Sequence, residues 1–107
     1  MLTGCNASAP LFDQSPLRNY VVATVNNDTD HQVIVTVCYD RRCHNTDQVD
    51  KVAAHDYVQD GINNDSAGLA WFRIQSATGT TVGCLRLRYR SGQRTASLQV
   101  SEAADCH

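Results

Sequence analysis

Thr81-Val82-Gly83-Cys84-Leu85-Arg86-Leu87-Arg88-Tyr89-Arg90 decides the fold. Leu85, Leu87 and Tyr89 fall at every second position, and Arg86, Arg88 and Arg90 fall between them. A strand sends alternate side chains to opposite faces, so this is one strand with an apolar face and a basic face. Ser91-Gly92-Gln93 then turns the chain, and Arg94 to Ser101 returns with Ala96, Leu98 and Val100 inward. On the other side, Thr78-Gly79 marks a hairpin turn. Before it, Leu69 to Ser76 alternates again, with Ala70, Phe72 and Ile74 on one face and Trp71, Arg73 and Gln75 on the other.

The same pattern continues toward the N-terminus. His31 to Tyr39 puts Val33, Val35, Val37 and Tyr39 on one face and Gln32, Ile34, Thr36 and Cys38 on the other. Apolar groups on both faces predict a central strand. Tyr20 to Val25 is β-branched and apolar, and Asn26 to Asp30 is a turn. Val52 and Val58 fit two short strands around a turn at Ala54-His55-Asp56. Asp40 to Gln48 and Asp60 to Gly68 read as polar loops.

Composition agrees. Eleven Val, nine Thr and three Ile stand against one Glu, one Lys and one Met. β-branched residues fit a pleated surface, and long straight helix formers are nearly absent. A chain of 107 residues is one domain's worth, and 42% apolar content is too high for disorder. The expectation is an all-β, antiparallel, immunoglobulin-like β-sandwich of six to seven strands over residues 18–107. It lacks the Cys–Trp–Cys spacing of antibody domains. Residues 1–17, which hold both prolines, read as a flexible tether.

Leu2-Thr3-Gly4-Cys5 resembles the bacterial lipobox, in which the signal peptide is cut before the Cys and diacylglycerol is attached to its thiol. The resemblance implies lipidation of Cys5 and an extracytoplasmic, membrane-anchored protein of the cell envelope. The basic and apolar regions of a signal peptide are not in the sequence, so the expectation is a chain beginning just inside one. With Cys5 lipidated, Cys38, Cys43, Cys84 and Cys106 remain, enough for two disulfides in an oxidising compartment. Four Cys allow three pairings, and sequence does not choose among them. Cys38 and Cys43 flank four residues and could close a strand tip; Cys84 and Cys106 would then staple the C-terminal tail. That pairing is favoured. The layout of Cys38 to Cys43, Gly83-Cys84-Leu85 and Cys106 also resembles small uncharacterised envelope proteins of actinobacteria, a resemblance that implies no activity.

Charge excludes some functions and points to another. Net charge is −2, which excludes a polycation built to coat nucleic acid. Residues 1–65 hold four basic and nine acidic groups (net −5); residues 66–107 hold five and two (net +3). Arg86, Arg88 and Arg90 leave one face of one strand, Arg94 could join them from the next strand, and Arg73 lies near in sequence pattern. Like charges so placed repel, and an anionic partner would relieve them. An acidic envelope component or an acidic protein face is the expected partner, unless the stripe is only a solvated face.

No catalytic set emerges. There is no Gly-x-Ser-x-Gly elbow, no Cys-x-x-Cys, and Glu102 is the lone Glu. A non-enzymatic binding module without cofactor is expected. One alternative is a copper or zinc carrier using His44 with His31, His55 or His107, although no pair has metal-ligand spacing. Zinc on the four cysteines fits poorly, and Asp60-Gly61-Ile62-Asn63-Asn64-Asp65 lacks the acidic alternation of a calcium loop. The other alternative is an inhibitor of an extracellular hydrolase, presenting Asp40-Arg41-Arg42 at the tip of a disulfide-closed loop.

Overall fold

A computed structural model describes residues 19–106. The tether, Cys5 and His107 lie outside the described residues. Among the described residues seven strands form: β1 (Tyr20–Asn26), β2 (Val33–Cys38), β3 (Thr46–Val52), β4 (Tyr57–Asn63), β5 (Gly68–Ser76), β6 (Thr81–Tyr89) and β7 (Thr95–Gln99). One sheet has the order β4-β1-β7 and the other β3-β2-β5-β6. The alternate apolar positions of the central strands point inward, whereas Tyr39 does not: β2 ends at Cys38 and Tyr39 is 44% exposed. Val21, Ala23 and Val25 of β1 and Ile62 of β4 meet Val35 and Val37 of β2 and Ala70, Phe72 and Ile74 of β5 in one core. Every one of these is at most 2% exposed. Two β-sheets closed over such a core are a sandwich, and the apolar area removed from water at about 25 cal/mol per Å² is its main stabilisation.

Two expected loops contain strands. Thr46 to Gln48 opens β3, and Asp60 to Asn63 completes β4. Both are edge strands, so β3 buries only Val52 fully and carries polar side chains nearly throughout. Edge position removes the apolar alternation that reveals a strand. Asp60 therefore sits in a ladder opposite Ala23, not in a calcium-type loop. The antiparallel expectation also has one exception: β7 runs parallel to β1, pairing Val22 with Thr95 through Asn26 with Gln99. Among the described residues the only helical turn is a 3₁₀ turn at Val100–Glu102, and no helix is long and apolar enough to cross a membrane.

The turns are held by specific groups. Gly79 and Gly92 have φ of 93° and 78°, the left-handed region where a Cβ is penalised, as the Thr78-Gly79 and Ser91-Gly92 readings require. Asn27 is 1% exposed. Its amide donates to the carbonyls of His31, Val52 and Ala53 at 2.8, 3.1 and 3.0 Å. It thereby ties the β1–β2 turn to the end of β3.

The C-terminal tail is bound to β6. Cys84 N–H donates to Ala104 O at 2.6 Å and Ala104 N–H donates back to Cys84 O at 3.0 Å. Gly83 permits this approach, since a Cβ there would lie 2.7 Å from Ala104 O. Ser101 donates its N–H at 2.8 Å and its hydroxyl to the Asp28 carboxylate, which holds that carboxyl below its ordinary value. Disulfides join Cys38 to Cys43 and Cys84 to Cys106, each with Cα atoms 4.9 Å apart.

Candidate functional site

The outer face of the four-stranded sheet collects the unusual residues. Register places Cys38 of β2, Trp71 of β5 and Arg86 of β6 in one row across three strands. The next row is Thr36, Arg73 and Cys84. Each row therefore ends in or begins with a disulfide: Cys38–Cys43 stands beside Trp71, and Cys84–Cys106 stands beside Arg73. The two bridges bracket Trp71 and Arg73 from opposite sides.

The shorter bridge also delivers cations. Cys38 is an outward position, so closing a bridge over four residues folds the 39–43 loop onto the outer face, with Arg41 and Arg42 on it. Asp40 organises this loop. Its carboxylate accepts the N–H groups of Arg42, His44 and Asn45 at 3.0, 3.0 and 2.7 Å. The His44 and Asn45 amides, followed by that of Arg42, hold the Asp40 carboxyl below its ordinary value. They also stabilise Cys43 at φ 59°. Asp40 is thus tied inside the loop, and Arg41 and Arg42 face solvent.

Two adjoining hollows result. One, of about 590 Å³, is lined by Arg41, Leu69, Trp71, Arg86 and Leu98, with Glu102, Asp105 and Cys106 on the tail side. The other, of about 430 Å³, is lined by Arg41, Arg42, Arg73, Thr81 and both disulfides. They share Arg41, Cys84 and Cys106, and together form one groove. Among the described residues, the side chains of Arg41, Arg42, Arg73, Arg86 and Arg88 have no hydrogen bond or ion pair to a carboxylate. Beneath the groove, Arg73 Nε and Thr36 Oγ1 are buried without a hydrogen-bond partner.

The expected stripe is only partly brought together. Arg86 lines the groove, and Arg88 follows on the same face opposite Leu69, exposed. Arg90 lies past the end of β6. Arg94 precedes β7 in the other sheet, where its carbonyl accepts the Val22 N–H at 2.8 Å. Sequence reading treated loop Arg41 and Arg42 and strand Arg86 as separate candidates, whereas they share one groove. Trp71 is half-buried and lines the groove together with loop residue Arg41.

The histidines do not form a comparable cluster. His55 Nε2 lies 2.8 Å from Asp30 Oδ1 on an exposed turn. Among the described residues no group of three or more His, Cys, Asp or Glu is arranged to hold a metal ion. A second polar feature lies at the β3/β4 side of the sandwich. Asp60 is 5% exposed, and neither of its carboxylate oxygens has a partner. Burial first, then the neighbouring Asp50 and Asp47, push the Asp60 carboxyl up to about 6. Burial and the Asp47 carboxylate, 2.9 Å from its hydroxyl, push Tyr39 up to about 12.

No protein-family model, curated protein or solved structure matches the chain. What the groove can do follows from its groups. Guanidinium forks bind carboxylate or phosphate oxygens, and an indole face beside them supports cations and apolar surface. The four body cysteines are oxidised and offer no thiolate.

Proposed function

We propose that this protein is a non-enzymatic binding module of the bacterial cell envelope, which captures an anionic partner in the groove between its two disulfides. One observation carries the reading: Arg41 from the loop and Arg86 from β6 line the same hollow beside Trp71, with no carboxylate among the described residues paired to either. Like-charged side chains lining one hollow repel one another, and a partner supplying carboxylate or phosphate relieves that repulsion. The disulfides support an oxidising, extracytoplasmic setting. Lipidation of Cys5 would hold the body at the membrane with residues 6–17 as spacer. Membrane affinity from one lipidated Cys scales with buried CH₂ groups and needs no transmembrane helix.

The groove is read out by its own chromophore, because Trp71 is the single Trp of the chain. The test is a titration of Trp71 fluorescence with poly-L-glutamate, polyphosphate and phosphatidylglycerol vesicles at low salt. At least one probe should give a saturable change that is lost at about 0.5 M salt, where the Debye length falls to roughly 4 Å. The same change should be lost in the Arg41→Ala/Arg86→Ala double variant. Silence toward all three probes would sink the reading.

A further inference from the structure

We propose that the outer edge of β6 takes an extended acidic peptide as an added strand, starting where the C-terminal tail leaves that edge. This rests on the groove being an anion site and names its ligand class. β6 is the last strand of the order β3-β2-β5-β6, so among the described residues one side of its backbone has no strand partner within the sheet. At Cys84 that side is used: the N–H and C=O of Cys84 both bond to Ala104. Alternate residues of a strand aim their backbone polar groups to the same side. From Cys84 to Tyr89 the register with β5 runs without a bulge. The N–H and C=O groups of Arg86 and Arg88 therefore point the same way as those of Cys84, out of the sheet.

The tail does not take them. Continuing the Cys84–Ala104 pair antiparallel would bring Glu102 opposite Arg86, but Glu102 is wound into the 3₁₀ turn Val100–Glu102. No backbone bond joins Arg86 or Arg88 to the tail. Among the described residues, two donors and two acceptors therefore remain without a backbone partner on this side of β6, which is the requirement for strand addition. The groove lies along this same edge, with Trp71 and Leu69 as apolar floor and Arg41 opposite.

Charge selects the occupant. Arg86 and Arg88 project from the edge strand, exposed and without a carboxylate partner among the described residues. A second copy of this chain pairing β6 to β6 would set these arginines against their own equivalents, and like charges directly opposite are destabilising. A strand bearing Asp or Glu at alternate positions places carboxylates against them instead. The backbone ladder supplies affinity, and the alternate acidic side chains supply selection.

The experiment uses an eight-residue peptide of alternating Glu and Thr, and two versions N-methylated on all Glu amides or on all Thr amides. Binding to the full chain is followed by Trp71 fluorescence and by amide hydrogen exchange at Arg86 and Arg88. Strand addition uses only one of the two alternate amide sets. One methylated peptide should bind more than about tenfold more weakly while the other stays within about twofold of the parent. Exchange at Arg86 and Arg88 should slow on binding the parent. If both methylated peptides bind like the parent, or if these two amides exchange unchanged, strand addition is refuted while the anion groove stands. Capture of polyphosphate or phosphatidylglycerol vesicles but not of the peptide has the same meaning. Failure of all probes refutes both.

Discussion

Trp71 of β5 and Arg86 of β6 stand directly opposite each other in a regular antiparallel register. Because the Arg86 backbone points away from β5, this is a non-hydrogen-bonded pair, the kind in which side chains approach most closely. Register thus sets Trp71 beside Arg86, with Cys38 on its other side, and both Trp71 and Arg86 line the groove. Trp71→Ala should cost only about 1–2 kcal/mol of stability, since the ring is half-buried on the outer face. It should weaken anion capture about tenfold or more, as expected of an aromatic anchor. Parallel chemical denaturation and binding by calorimetry separate the two effects.

The buried carboxyl of Asp60 sets a pH dependence opposite to that of salt-bridged acids. Its folded value of about 6 lies above the ordinary 3.8. The folded state therefore binds this proton more tightly than the unfolded chain does. The associated stability is complete below about pH 4 and is lost as pH rises through about 6. Asp60→Asn should raise stability at pH 7.5 by about 1–2 kcal/mol and flatten the pH profile between 4 and 6.5. Thermal unfolding across that range checks both statements, and a wild-type Tm that climbs from pH 4 to 6.5, with no gain in the variant, contradicts them.

The two disulfides should differ in weight. Loop-closure entropy grows with the length enclosed, and the bridges span separations of 22 and 5 residues. Replacing Cys84 and Cys106 with Ala should cost about 3 kcal/mol, and replacing Cys38 and Cys43 about 2 kcal/mol. Function should rank them the other way for Arg41. Losing Cys38–Cys43 frees the loop that carries Arg41 onto the groove, so anion capture should fall while the fold persists. Urea midpoints and the Trp71 titration on both double variants provide the comparison.

Asn27 is the polar group whose loss should hurt most. Its amide satisfies three carbonyls, and its own carbonyl accepts Thr29 N–H at 3.1 Å and Thr29 Oγ1 at 2.6 Å. Asn27→Ala leaves these groups unpaired in a buried turn and should cost about 2–4 kcal/mol. Asn27→Asp should be no better, because a carboxylate cannot donate to the three carbonyls. Equilibrium unfolding of both variants measures this.

Alternation made the central strands legible. Ala70, Phe72 and Ile74, and Leu85 and Leu87, point inward as their spacing requires, and Cys38 shares the outer face with Thr36. β3 and β4 were legible only next to their turn, at Val52 and Val58; their outer parts were hidden because edge strands bury little: Asp47, Gln48 and Gln59 are exposed, and Asp60 is an acid where a core residue is expected. The parallel β1·β7 pair depends on how the chain crosses between sheets, which local pattern does not encode. The groove needed two further facts, the Cys38–Cys43 pairing and the β5·β6 register. The outward parity of Cys38 was the available signal that a short bridge there would lay Arg41 and Arg42 over the same face as Arg86.

A titration of ¹⁵N-labelled protein with poly-L-glutamate at low salt locates the anion site between the two disulfides residue by residue. Saturable shifts are expected at the Trp71 indole and at the amides of Arg41, Arg73 and Arg86, with Thr24, Gln59 and Ser97 on the opposite sheet unmoved. Shifts spread evenly over both sheets, or centred on β1, β4 and β7, would contradict it.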